Sequence, residues 1–351
     1  MPNLPAALPA SRTPSPQDAP SLRWGIMAPG GIATRFVEAL QAHTTQRVVA
    51  AGSRSQERAD AFKERYHLER AHSSYQALAE DREVDAVYVA APNSGHLPLA
   101  LLAINAGKHV LIEKPFTCTA GEARQLASAA RARGVTCMEA MWTRYLPQTD
   151  VLRQILEAGL LGEILFMAAD HGQRLPTDGR LYQPELGGGA LLDLGVYPVS
   201  FTFSVLGRPD ALHAHGTLTP NGLDAQSVLT FEYASGAVAA ITTSMVARMP
   251  TGGAIGGTEA MLQFEEPFYQ PLGLTVSQSR RQGGGSVSWK DETGIHGSDG
   301  LCYQAAALAR YAAEGRTESP LLDLDESIAI METLDAARHQ LGAYLPGESR
   351  G

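Results

Sequence analysis

Three cysteines in 351 residues, Cys118, Cys137 and Cys302, are too few and too widely separated to frame a disulfide-stapled fold. No CxxC spacing or neighbouring His/Cys cluster offers zinc a set of ligands. Three structural thiols in a reducing cytoplasm are the simplest reading. No stretch reads as long and apolar enough to span a membrane. The opening MPNLPAALPASRTPSPQDAP carries six prolines in 20 residues and lacks the basic start and unbroken apolar run of a signal peptide, so it reads as a flexible tail. Basic residues are also short: 28 against 37 acidic give a formal charge of -9. That balance disfavours nonspecific attachment to nucleic acid or anionic lipid and leaves room for a local pocket for a small anion. With 44% apolar and 19% charged residues, a folded globular protein is expected, and the length makes two domains the first expectation.

Order begins near Leu22 with a short apolar strand, a glycine turn, the helical spacing of TRFVEALQAH, and the apolar RVVAAGS, together a βαβ unit. The pattern continues through a helix at about 56–66, a buried strand DAVYVAA, a helix at about 97–105, HVLIEKP, a helix at about 120–133 and VTCMEA. Such alternation predicts a mainly parallel sheet covered on both faces, with ligand loops at the C-terminal ends of its strands. After about Met141 the character changes. A helix at about 146–158, the strand GEILFMAAD, a glycine-rich connection and the helical ALLDLGVYPVSFTFSVLG precede several strand-like segments with turns. Two helical patterns then run to about Gly342. The expected architecture is α/β: a Rossmann domain over 22–141, then an α/β domain over 142–343 with an open, mainly antiparallel or mixed sheet. Tails occupy 1–21 and 344–351.

GIMAPGGIA is a dinucleotide turn of GxGxxG/A type with one glycine missing. Ala28 takes the first glycine position, Gly30 the position where phosphate approaches the backbone, and Ala33 the helix-packing position. Gly31 adds freedom, and Ile32 opens the helix whose free amides would face pyrophosphate. Alone the motif also fits an ordinary tight loop. At the end of the next strand, Ser53 and Arg54 stand where a site preferring NAD carries an acidic residue. They favour the 2'-phosphate of NADP(H), with NAD(H) as the lesser cofactor and Arg58 as a helper one turn on. The bland reading of Arg54 is a solvated strand edge.

At IEKP, residues 112–115, the chain resembles the glucose-fructose oxidoreductase (Gfo/Idh/MocA) family. The resemblance extends over about Leu22 to Gly342 through the dinucleotide turn, GSRS, VYVAAPNSGHLPLALLAINAGKHVLIEKP, EAMWTRYLP and GGGALLDLGVYPV. WTRYLP, the tyrosine of DLGVY and Arg54 look most like its dihydrodiol and xylose dehydrogenase branch. The resemblance implies an oxidoreductase using NAD or NADP on a sugar, polyol or related alcohol, and a homo-oligomer, dimer or tetramer. It implies no catalytic metal. Ala28 is its main departure.

By this correspondence Lys114 reaches the catalytic centre, Asp193 orients a substrate hydroxyl, and Tyr197 holds the proton-transfer position that is His in many relatives. Asp193 and Tyr197 are four residues apart, on one face of the helix expected after Gly187, Gly188 and Gly189. A free phenol titrates near 10, so the Lys114 ammonium would have to favour the phenolate near neutral pH. Pro92, Asn93 and His96 correspond to residues beside nicotinamide and substrate, although a structural role suits a helix-start histidine equally. Glu113 would support the cofactor loop. Trp142, Arg144 and Tyr145 suit a wall for a hydroxylated ring, Trp142 being equally an ordinary packing residue. Asp170 and His171, at the end of the second domain's first strand, are read as facing the same cleft. The competing class is a nonenzymatic NADP-binding regulatory protein on the same fold.

Overall fold

The computed structural model describes residues 4–279, 281 and 284–348, and the chain divides into two compact units. The first comprises 14–145 and 297–331. Its core is a six-stranded sheet of β1 (Arg23–Met27), β2 (Arg47–Gly52), β3 (Arg70–His72), β4 (Ala86–Val89), β5 (His109–Glu113) and β6 (Cys137–Ala140), in the order 3-2-1-4-5-6. Every adjacent pair is parallel. Helices α1 (Gly31–His43), α2 (Gln56–Tyr66), α3 (Tyr75–Ala79), α4 (His96–Asn105) and α5 (Ala120–Arg133) make the crossovers. All four residues of β4 are buried, as a strand covered on both faces requires. Local chemistry fixes the helix starts: Ser55, Ser74 and Thr119 each accept a backbone N–H in the first turn of α2, α3 and α5.

The second unit comprises 1–13, 146–296 and 332–351. After α6 (Pro147–Glu157) come β7 (Ile164–Gly172), a π-helical turn (Leu191–Gly195) and α7 (Val196–Leu206). The strands β8 (Ala211–Leu218), β9 (Asp224–Glu232), β10 (Val238–Ser244), β11 (Gly253–Gly257), β12 (Met261–Phe264), β13 (Gly273–Ser277) and β14 (Ser286–Lys290) follow. The eight-stranded sheet runs 14-13-12-11-7-10-9-8. It is mixed because β7 pairs parallel with β10 and antiparallel with β11, while the other neighbours are antiparallel. Both expected sheet types are therefore present.

Residues 297–331, placed by the sequence reading with the second domain, return to the first unit. There α8 (Leu301–Ala313) packs on α1, and the backbone N–H of Cys137 on edge strand β6 donates to Thr317 at 2.9 Å. The proline-rich start is not a loose tail from residue 4 onward. Arg12 donates to Asp150 through its backbone and guanidinium, and Ala19 is buried with Ala306 and Ala309 of α8. One stretch, 184–206, is after all long and apolar enough by length and composition to cross a membrane, but most of it is buried inside the fold as a core helix. All three cysteines are buried, and none of them is in a disulfide. No cluster of metal-ligating side chains occurs among the described residues.

Candidate functional site

In the first unit, the loops after β2, β1, β4 and β5 lie side by side, since these strands are neighbours in that order. The sheet order reverses between β1 and β4, where a doubly wound sheet opens a crevice for ligands. Ala28 enters the turn with φ 61°, the left-handed region, so it adopts the glycine-like backbone despite its Cβ. Its N–H donates to Gly52 at 3.1 Å. Gly30 caps α1 without a side-chain hydrogen bond, leaving first-turn amides for an incoming anion. A Cβ on Gly30 would meet only the Ala28 carbonyl, 3.8 Å away, and one on Gly31 nothing within 4 Å. Protein packing does not demand these glycines. The open space fits a pyrophosphate laid against the backbone, with Ile32 half-exposed in the same turn. Ser53 is buried and accepts the Ser55 N–H, whereas Arg54 and Arg58 are exposed, with no side-chain ion pair among the described residues. These residues fit a dinucleotide with a further anionic group near β2.

Pro92 is exposed and Asn93 buried in the short helical turn after β4. Glu113 is buried and accepts the Tyr88 hydroxyl, and Tyr88 in turn stacks on Phe36 of α1 at 3.9 Å between centroids. Glu113 is thereby tied to the core beneath the turn. Lys114 follows it, half-buried, and its peptide bond to Pro115 is cis.

Two expected contacts in this unit, at Arg144 and Tyr145, are corrected, and His96, left open between a ligand contact and a structural role, takes the structural one. His96 is fully buried, its ring nitrogens 2.8 Å from the Pro115 carbonyl and 3.0 Å from the Ala91 carbonyl. It ties the loop after β4 to the loop after β5 and has no open face for a ligand. Arg144 is also buried, pairing with Glu326 at 2.6 Å and donating to the Leu321 carbonyl. Tyr145 is only 3% exposed, and burial pushes its phenol upward. Both pack in the returning segment and do not wall a substrate. Trp142 is buried beside them in the same turn.

In the second unit, successive side chains of β7 point to opposite faces. His171 faces α7, where its ring meets those of Tyr197 at 5.3 Å and Tyr269 at 5.0 Å. Tyr197 and Tyr269 are themselves 5.1 Å apart. Asp170 faces the other way, a correction to the expectation that both enter one cleft. Its carboxylate accepts the N–H groups of Thr251 at 2.7 Å and Gly252 at 2.9 Å. Thr251 has φ 67°, costly for a β-branched residue, so Asp170 holds a strained turn. That turn accepts the Phe268 N–H at 3.0 Å and so fixes the loop that presents Tyr269.

Asp193 lies within the π-helical turn and Tyr197 on the first turn of α7, so the helix at the site departs from the regular α geometry assumed from their spacing. Such turns recur where a helix presents functional groups. The Asp193 carboxylate is bound by Arg180 at 2.6 Å; the acid is nearly buried and the guanidinium half-exposed. Arg180 and Tyr269 escape sequence reasoning because both sit in loops whose placement depends on distant contacts. The glycines before the helix sit where the chain packs tightly. A Cβ on Gly188 would strike the Leu181 carbonyl, and one on Gly189 the Asp224 carboxylate. Close packing requires Gly188 and Gly189.

Residues 22–141 match the oxidoreductase family with an NAD-binding Rossmann fold, and residues 150–263 match the GFO/IDH/MocA C-terminal domain. The chain belongs to the Gfo/Idh/MocA oxidoreductase family. Within reach of that family, mouse trans-1,2-dihydrobenzene-1,2-diol dehydrogenase is 33% identical over 334 residues, covering 94% of this chain and 100% of the relative. KijD10, a 3-ketoreductase from Actinomadura kijaniata solved with NADP and TDP-benzene, is 28% identical with a TM-score of 0.79, over 92% of this chain and 98% of that one. Levoglucosan dehydrogenase, solved with NADH and levoglucosan, shares the fold at a TM-score of 0.82 and 20% identity, over 92% and 97%.

Proposed function

We propose that this family member is an NADP-dependent dehydrogenase of a sugar, polyol or dihydrodiol alcohol, with Tyr197 as the proton-transfer residue. The observation that carries the reading is the grouping of Tyr197 with His171 and Tyr269 beside the π-helical turn that bears Asp193. Ring faces suit a flat, partly apolar substrate carrying hydroxyls, as a cyclic diol does. The dihydrodiol dehydrogenases among its relatives support that class. Exposed Arg54 and Arg58 support NADP, as does the NADP bound by KijD10; NAD(H) remains the weaker alternative.

When bound, the nicotinamide supplies the hydride chemistry. Tyr197 accepts the alcohol proton during oxidation and returns it during reduction, while Lys114 favours the phenolate through its positive charge. Asp193, held by Arg180, orients the substrate hydroxyl. We further propose a homo-oligomer in a reducing cytoplasm, joined through the open face of the eight-stranded sheet. Val238, Phe166 and Met261 stand in one cross-strand row on that face, each about two-fifths exposed, an apolar surface suited to a second copy.

The test is Tyr197→Phe. Turnover of trans-1,2-dihydrobenzene-1,2-diol with NADP+ should fall by about 10²- to 10⁴-fold, with the NADPH dissociation constant unchanged. Wild-type turnover in that variant would remove Tyr197 from the mechanism.

A further inference from the structure

Asp224, at the start of β9, is 1% exposed, and no step above uses it. Its Oδ2 accepts the backbone N–H of Leu191, the first residue of the π-helical turn, at 2.6 Å. Its other oxygen lies so close to the Gly189 α-carbon that any side chain there would collide with it. Gly189 itself has φ 111°, closed to most residues. The side chain therefore grips the chain at two points, one a hydrogen bond from a backbone N–H and the other a steric stop. Burial pushes the Asp224 carboxyl up to about 7, against the Leu191 N–H and the charge of Arg338, which is itself buried and held by Asp335 and Glu348. A π-helical turn rotates the residues that follow it relative to an α-helix, so fixing where the turn begins fixes where Asp193 and Tyr197 aim.

We propose that Asp224 is a positioning residue for proton transfer, pinning residues 189–191 so that the π-helical turn delivers Asp193 and Tyr197 in a productive register. The proposal rests on the assignment of Tyr197 above. Asp224 touches neither substrate nor cofactor. Its effect passes through the helix, and a displacement of about 1 Å at a reacting group is enough to cost roughly a hundredfold in rate.

The experiment compares full-length wild type, Asp224→Asn, Asp224→Ala, Tyr197→Phe and the Asn/Phe double variant, with trans-1,2-dihydrobenzene-1,2-diol and NADP+ as substrates. NADPH affinity and thermal midpoint are measured alongside. Asn is nearly the same size and keeps one oxygen for the Leu191 N–H, but gives up the second oxygen that lets the carboxylate also accept from the Ala190 backbone, so it loosens the grip and remains informative where Ala does not fold. The expected result is a fall in kcat of about tenfold or more for Asn, and a larger one for Ala where it folds, with NADPH affinity unchanged. In the Tyr197→Phe background the Asn substitution should cost less than about threefold, because it acts through the group already removed. Unchanged kcat in folded Asp224→Asn, or equal losses in both backgrounds, overturns the positioning role while leaving Tyr197 in place. Wild-type turnover in Tyr197→Phe alone overturns the parent assignment and this proposal together.

Discussion

Replacing Ala28 by glycine should make the protein more stable, against the usual effect of adding a glycine. An L-residue in the left-handed region costs about 1–2 kcal/mol, and Ala28 sits there at φ 61°. Glycine removes that strain but gives the unfolded chain more freedom, worth about 0.4–1 kcal/mol in the other direction. The balance favours the variant by roughly 0.5–1 kcal/mol, or about 1–4 °C in thermal midpoint for a cooperative unit of this size. The hydrogen bond from residue 28 to Gly52 and the start of α1 are backbone features that the change leaves in place. NADPH should therefore bind as well or better. Urea denaturation of the cofactor-free protein, with the slope checked for constancy, measures the difference. Ala28→Val provides the opposite arm, with a loss of about 1 kcal/mol or more because a β-branched side chain tolerates this conformation poorly. A glycine variant less stable than wild type at equal slope would refute the reasoning that the turn is strained.

Two further outcomes follow from charges. Burial pushes the Glu139 carboxyl up to about 7, above its unfolded value, so the stability it contributes is fully present below about pH 4.5 and is lost as pH rises through 7. Its two partners are the Phe116 N–H and the Ser327 hydroxyl, both of which glutamine can satisfy. Glu139→Gln should gain on wild type by about 2 kcal/mol between pH 5 and pH 8, measured by denaturation at each pH; a constant difference would show that Glu139 does not titrate as described. Arg54→Ala should weaken NADPH roughly tenfold or more and leave NADH almost unchanged, read from fluorescence titrations; equal weakening of both would take the 2'-phosphate away from Arg54.

Features encoded within a few residues were legible from the chain. The glycine turn, the capped helices and the apolar strands of the parallel sheet each carry their own local signal, and together they specify the α/β architecture that the fold displays. Residues whose roles depend on distant partners were misread or left open. Nothing near Arg144 announces Glu326 or Leu321. His96 could be read either way from the sequence, and only the fold shows two backbone carbonyls from separate loops at its ring. Asp170 follows the same strand as His171 and differs from it only by the alternation of strand faces, a rule available from sequence once the register is known. The strand β11 hid behind glycines, which ordinarily weaken strands; here the Leu161 carbonyl presses against Gly257 and leaves no room for a side chain.

The return of residues 297–331 to the first unit has a consequence for synthesis. A nascent chain completes all six parallel strands at Ala140, but the ribosome must still make the whole intervening segment before α8 emerges to cover α1. At about 5–20 residues per second that interval is roughly ten to thirty seconds. During it, the apolar surface that Ala306 and Ala309 will bury beside Ala19 stands uncovered, so chaperone engagement or ribosome stalling within this window would act on the cofactor-side fold long after its own strands had been translated.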